Sequence, residues 1–160
     1  MESFREYVAG RLDQLRRTAY LLCGDWHTAD DIVSIALANL YRHWRRVSTM
    51  DNIDAYVRRA LLRTWLNERR RPWRRERSFA TLPDRPSAQP DTTDRLAILA
   101  LLAELPARRR AVLVLRYYCD LSVEETAAAL GCNAGTVKST TARALATLRE
   151  RLAPIEGDLT

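Results

Sequence analysis

Leu121 to Leu152 reads LSVEETAAALGCNAGTVKSTTARALATLRERL: a short capped helix, a glycine break and a longer basic helix. Ser122 followed three residues later by Glu125 fits a capping box, in which each side chain satisfies an orphan backbone N–H near the other. A helix is therefore predicted to start at Val123. Val123, Ala127 and Leu130 recur at helical spacing, and Gly131 supplies the left-handed residue that commonly ends a helix. Asn133 is placed to cap a second helix. On that helix Val137, Thr141, Ala144, Leu148 and Leu152 form one stripe, while Lys138, Ser139, Ala142, Arg143 and Ala146 point elsewhere. One side packs, and the other is left to touch a partner.

A helix entering the major groove of DNA needs small residues at its tip for close approach and hydrogen-bonding or cationic side chains behind them. Ala134, Gly135 and Thr136 supply the first; Lys138, Ser139, Thr140 and Arg143 supply the second. Lys138 is the only lysine among 26 lysines and arginines. The competing reading of this segment is an antiparallel helical hairpin with a solvated basic face.

Charge distribution favours the nucleic-acid reading. Residues 58 to 77 hold nine arginines against Glu68 and Glu76, which gives +7, so with a net charge of +6 the rest of the chain carries -1. Such concentration reads as a phosphate-binding footprint, because a surface mixing both signs serves solubility better. The alternative is a solvated charge run or a basic tail. Ala60, Leu61, Leu62, Trp65 and Leu66 keep the first half of the block amphipathic.

Helical periodicity dominates both halves of the chain, and no convincing alternating strand appears. Phe4, Val8, Leu12, Leu15 and Ala19 predict one helix, and Ala29 to Trp44 and Ile53 to Arg71 predict two more. Residues 78–95 contain three prolines and a cluster of Ser, Thr and Asp, and read as an extended linker. Beyond it, Leu96 to Leu105 is an apolar helix closed by Pro106, and Ala107 to Tyr118 is the next, with Val112, Leu115 and Arg116 near its inner edge. The expected fold is all-α: an N-terminal helical domain over 1–77, the linker over 78–95, a helix-turn-helix domain over 96–153 and a tail over 154–160.

Other chemistries find little support. Cys23, Cys119 and Cys132 are odd in number and lack a C-x-x-C pair, which argues against a disulfide framework or a metal site. His27 and His43 belong to no metalloprotease pattern, and no Gly-rich phosphate loop or nucleophile elbow occurs. No catalytic residue, cofactor or metal is expected. The pair Asp30-Asp31, following Thr28, reads as N-terminal charge that favours a helix dipole. Charged first residues and the lack of a long apolar run predict neither a signal peptide nor membrane insertion, so a cytoplasmic location is expected.

The order of parts resembles the extracytoplasmic-function sigma factors of the sigma-70 family, over almost the whole chain. Glu125-Thr126-Ala127-Ala128-Ala129-Leu130-Gly131 and Gly135-Thr136-Val137-Lys138-Ser139 look like the family's promoter-reading helix-turn-helix. Leu113 to Tyr118 and Asp120-Leu121-Ser122 are similar to its approach. Ala29-Asp30-Asp31-Ile32-Val33 and Leu37 to Trp44 resemble the helix that docks on the clamp helices of the largest subunit of bacterial core RNA polymerase. Ala55 to Arg71 resembles the helix and basic stretch that bind and open the -10 element.

What the resemblance implies is a sigma factor that reads the -35 duplex with Thr136, Lys138, Ser139, Thr140 and Arg143. It would hold the -10 strand with Arg59, Arg63, Thr64, Asn67, Arg70 and Arg71, and dock on polymerase through Asp31, Ile32, Leu37, Asn39 and Leu40. It further implies a monomeric free protein and an anti-sigma factor as a partner. Trp65 and Trp73 are interleaved with these cations; for Trp65 both a core role and base stacking stay open. Trp26 and Trp44 are assigned to packing. Three positions depart from the family's usual text. Ser34-Ile35 replace a Gln-Glu pair, which shifts docking toward Asp31, Asn39 and apolar contacts. Arg63 stands where many members have Asn, and Thr140-Thr141 replace Arg-Leu, removing a charge. The reading from a different class is a stand-alone dimeric helix-turn-helix repressor or activator; an RNA-binding adaptor using the arginine block would leave the capped C-terminal helices unused.

Overall fold

The computed structural model describes residues 3–70 and 92–158, which form two separate units. All regular structure among the described residues is helical. The N-terminal unit comprises α1 (Phe4–Cys23), α2 (Trp26–Arg42), a short α3 (Trp44–Val47) and α4 (Ile53–Arg69). The C-terminal unit comprises α5 (Thr92–Glu104), α6 (Ala107–Leu113) continued by a π-helical turn (Val114–Tyr118), α7 (Val123–Leu130) and α8 (Ala134–Asp158).

Local chemistry sets the breaks in the N-terminal unit. Gly24, at φ 79°, ends α1 in the left-handed conformation. Asp25 then caps α2, its carboxylate accepting from the N–H of Thr28 at 3.1 Å and the Thr28 hydroxyl at 2.6 Å. The helix thus starts at Trp26, three residues before the predicted Ala29. Asp30 consequently lies a full turn inside, where it does not serve the helix dipole; it accepts from Arg16 of α1 at 2.7 Å.

Tyr7, Leu40, Val47 and Val57 centre the core of this unit, with Phe4, Val8, Leu15, Leu37 and Trp44 packed on them. Trp44 lies edge-on to Phe4 at a centroid distance of 5.7 Å, and Trp26 stacks on Tyr20 at 4.1 Å, so both tryptophans pack as expected. Leu12 departs from its predicted stripe and is 37% exposed. The buried face of α1 is centred on Tyr7, Thr18, Ala19 and Leu22, which puts Leu12 on its rim.

The Tyr7 hydroxyl donates to Asp54 at the start of α4, and Arg11 Nε donates to the same oxygen at 2.9 Å. Burial would raise the Asp54 pKa, but the Tyr7 hydroxyl and the Arg11 guanidinium hold it below the usual carboxylate range. Burial first, and Asp54 second, push the Tyr7 phenol upward. A depressed carboxyl favours the folded state above the unfolded pKa of about 4, and that contribution is lost as pH falls through the folded value. A raised phenol favours it below about pH 10 and loses its contribution as pH rises further. The melting-temperature gap between wild type and Asp54→Asn is therefore expected to shrink as pH falls from about 6 to 3. A gap independent of pH would refute this coupling.

The C-terminal unit is built around α6. Ala111 to Leu115 are five consecutive buried residues, so the end of α6 and the start of the π-helical turn are enclosed on every side, while Arg108 at the head of α6 is exposed. Pro106 precedes its first turn, as Pro suits a position whose N–H has no partner. Arg110 turns back onto the end of α5: its Nε donates to the carbonyl of Leu102 at 2.7 Å and its Nη2 to Ala103 at 3.1 Å and Leu105 at 2.9 Å. One guanidinium thus gathers three carbonyls at the helix end, where the one at Leu102 also accepts from the Leu105 N–H at 3.1 Å.

α5 begins at Thr92, four residues before the predicted Leu96. Ser, Thr and Asp open helices as readily as they populate linkers, so composition alone misplaced this boundary. Residues 78–91 of the predicted linker lie outside the described residues. α8 runs on to Asp158, into the predicted tail.

Candidate nucleic-acid interface

Two helices and a tight turn build the C-terminal face. Ser122 and Glu125 form the capping box of α7, with Ser122 Oγ accepting from Glu125 N–H at 3.0 Å and Glu125 Oε1 accepting from Ser122 N–H at 3.0 Å. Gly131 adopts φ 70°, and Asn133 Oδ1 accepts from the Thr136 N–H at 2.8 Å to cap α8. Val112 of α6, Ala127 of α7 and Val137 of α8 form a common core, with Val123, Leu130 and Cys132 packed on it. The approach is pinned too: Leu121 N–H donates to Leu115 at 3.0 Å, and the Arg116 guanidinium donates to the Leu121 carbonyl. Asp120 beside it is the one non-glycine residue with positive φ among those described.

Burying Val137 and Ala144 decides which way the rest of α8 points. Lys138, Ser139, Ala142, Arg143, Ala146 and Arg149 are exposed, whereas Thr136 and Thr140 are half-buried on one flank. Three of the five sequence-predicted residues therefore project outward, and two border the face. Leu152 does not continue the packed stripe; it is 40% exposed.

On α4, Arg59, Arg63, Asn67 and Arg70 are exposed at spacings of four, four and three, which aligns them along one edge of the helix. Thr64 is not part of that row. It is 8% exposed, and its hydroxyl donates to the Ala60 carbonyl of its own helix at 2.8 Å. Trp65 is 1% exposed beside buried Leu61 and Leu62, with the Arg69 guanidinium 5.4 Å from its ring centre. The open choice for Trp65 resolves to the core. Arg71 and Trp73 lie outside the described residues.

On α2, Ile32 and Leu40 are 0% and 1% exposed and belong to the domain's own interior. They cannot face a partner, and Leu37 is half-buried against the same cluster. The outer face of α2 instead carries Ile35, Ala38, Asn39 and Arg42, with Asp31 half-exposed at its head and Tyr41 68% exposed to one side. The exposure of Ile35 agrees with its place in the docking stretch, whereas Tyr41 goes unread as a surface residue because an apolar side chain inside a helical pattern reads as core. No disulfide joins Cys23, Cys119 and Cys132.

Two helical units, one ending in a helix-turn-helix whose outer face is basic, define a DNA-directed protein. Residues 95–148 match the family model for sigma-70, region 4, and residues 8–75 match that for sigma-70 region 2. The chain is 42% identical over 156 residues to the RNA polymerase sigma-E factor of Streptomyces coelicolor, spanning 93% of this chain and 85% of that protein. It is 41% identical to the corresponding factor of Streptomyces avermitilis, again over 93% of this chain and 84% of the relative. Among solved structures, the sigma factor RpoE of Bartonella quintana, crystallised with the anti-sigma factor NepR, superposes with a TM-score of 0.76 at 25% identity, covering 94% of this chain and 96% of that one. The chain belongs to the sigma-70 family, as an extracytoplasmic-function member: an alternative sigma factor that directs transcription initiation. Such factors are regulatory DNA-binding proteins rather than enzymes. No helix among the described residues is long and apolar enough to cross a membrane.

Proposed function

We propose that the two units divide promoter recognition between them. The C-terminal unit reads the -35 element as duplex, with Lys138, Ser139 and Arg143 in the groove and Thr136 and Thr140 at its border. The N-terminal unit holds the opened -10 strand along Arg59, Arg63, Asn67 and Arg70, continued by Arg71 in sequence, and docks on the polymerase clamp helices through Asp31, Ile35, Asn39 and neighbouring exposed residues of α2. The protein performs no catalysis itself. It acts in the cytoplasm, is monomeric when free, and is restrained by an anti-sigma factor; its relative RpoE is found in complex with one, NepR.

The observation that carries this reading is the outward display of Lys138, Ser139 and Arg143 on a helix whose opposite side is locked into the core by Val137 and Ala144. Cations and a short hydroxyl on an accessible helix face suit base edges and phosphates. Run-off transcription with purified core enzyme tests it: a promoter-dependent product is expected, and absence of both product and core binding would sink the proposal. A stable dimer bound to a palindromic duplex without polymerase would favour the repressor reading instead. Within a working holoenzyme, Arg143→Ala is expected to weaken -35 binding by about 1–3 kcal/mol, with the loss concentrated at one base pair if the contact is to a base. Uniform loss across all sequences would mark a phosphate contact.

A further inference from the structure

Arg149 and Arg151 are two residues apart on α8, yet the fold gives them opposite tasks. Arg151 Nε reaches back to Glu104 of α5 at 3.2 Å and ties the two helices together. Arg149 is turned about 160° around the helix by the two intervening steps of 100°. It is exposed on the outer face that Lys138, Ala142 and Ala146 share. Eleven residues separate Lys138 from Arg149, which is close to three whole turns and about 16 Å of rise. The two cations therefore sit almost in line along α8. Between them lie Ala142 and Ala146, side chains too short to hold a partner away from the helix. The family match for region 4 stops at residue 148, so it assigns nothing to Arg149.

A major groove about 12 Å wide between its walls is flanked by phosphates on both strands. A helix inclined by roughly 30° with its tip at the base edges climbs the groove's depth of about 8.5 Å over about 16 Å of rise, which brings a side chain that far from the tip to the level of those phosphates. From these placements we infer that Arg149 contacts a phosphate at the rim of the groove entered by the tip of α8, extending the footprint three turns beyond Lys138. The inference rests on the -35 reading proposed above and adds a sequence-independent anchor to it. A phosphate contact positions the helix and releases a counterion without selecting a base. Arg143 lies about 120° around the helix from Arg149, so the two guanidiniums flank the outer face from opposite sides.

Holoenzyme reconstituted with the full chain would be bound to a promoter selected by the wild-type holoenzyme from a randomised duplex library, over a series of salt concentrations. For Arg149→Ala the slope of log K against log salt is expected to fall by about one, with binding roughly five- to tenfold weaker near 0.1 M salt, equally on matched and mismatched -35 sequences. Arg149→Lys should restore most of the slope, since a phosphate accepts a point charge as well as a fork. An unchanged slope with Arg149→Ala, while Lys138→Ala and Arg143→Ala still weaken binding, would make Arg149 a solvated surface cation and overturn the inference alone. If none of the three variants alters -35 binding, the parent reading fails with it. Loss confined to one base pair would also overturn the inference, because it would make Arg149 a base reader.

Discussion

Trp65→Ala is expected to destabilise the N-terminal unit by about 3–5 kcal/mol, the cost of emptying a large aromatic site in a core that collapses only partly around it. The site is enclosed: Trp65 is 1% exposed, with Leu61 and Leu62 on its own helix equally buried. Urea unfolding of the full chain, followed by hydrogen exchange of the α4 amides, reads the effect directly. Trp65→Phe should cost far less and leave promoter opening intact, because the ring volume is mostly conserved. The measurement separates two roles that look identical in sequence. A tryptophan that stacks on an unpaired base needs an accessible face, so its loss would spare stability and abolish opening. A stability change within about 0.5 kcal/mol, paired with lost opening, would return Trp65 to the strand-binding surface.

Arg110→Ala is expected to cost the C-terminal unit roughly 2–3 kcal/mol. Three carbonyls at the end of α5 lose the guanidinium together, the one at Leu102 keeping only the Leu105 N–H at 3.1 Å, and those at Leu102 and Leu105 are partly shielded from water. Arg110→Lys should recover less than half of the loss, since an ammonium cannot fork between carbonyls spread over four residues. Faster exchange of the α5 and α6 amides is the signature, and the salt slope of -35 binding should stay at its wild-type value. A reduced slope with normal exchange would instead place Arg110 on DNA. This arginine belongs to a run, Arg108-Arg109-Arg110, that reads as undifferentiated charge in the sequence. Only the returning end of α5 gives its last member a structural task.

The helix-turn-helix was legible residue by residue. Its start at Val123 and its second cap at Asn133 depend on side chains reaching backbone groups three residues away, and its break at Gly131 on a left-handed backbone that glycine adopts freely. Such interactions are complete within the segment that encodes them. The same locality explains the errors at other boundaries. Asp25 opens α2 by the same chemistry, but the apolar pattern sets in only at Ala29, so periodicity alone starts the helix three residues late. At Thr92 the residues favour a linker and a helix start alike.

Direction was harder to read than position. Ile32 and Leu40 were assigned to docking and are interior, while Ile35 and Tyr41 are exposed. The α2 sequence is apolar enough that several faces could serve as the inner one, and α1 and α4 select among them. Thr64 turns inward for the same reason on α4, although Arg59, Arg63 and Arg70 around it are exposed. On α8, Thr140 borders the outer face, so its expected weight in -35 preference falls relative to Lys138 and Arg143.

By itself, then, the amino-acid order determined that both units are helical, where α7 begins and ends and where α8 begins, and that positive charge gathers on two separate stretches. Those properties follow from backbone caps, 3.6-residue periodicity and composition, all of which act over a few neighbours. Tertiary structure alone decided that Trp65 is core, that Arg110 seals α5, and that Arg151 pairs with Glu104 while Arg149 faces outward. Each of these depends on a helix distant in sequence occupying one side of the residue, and a helical pattern specifies which residues share a face without specifying what that face will meet.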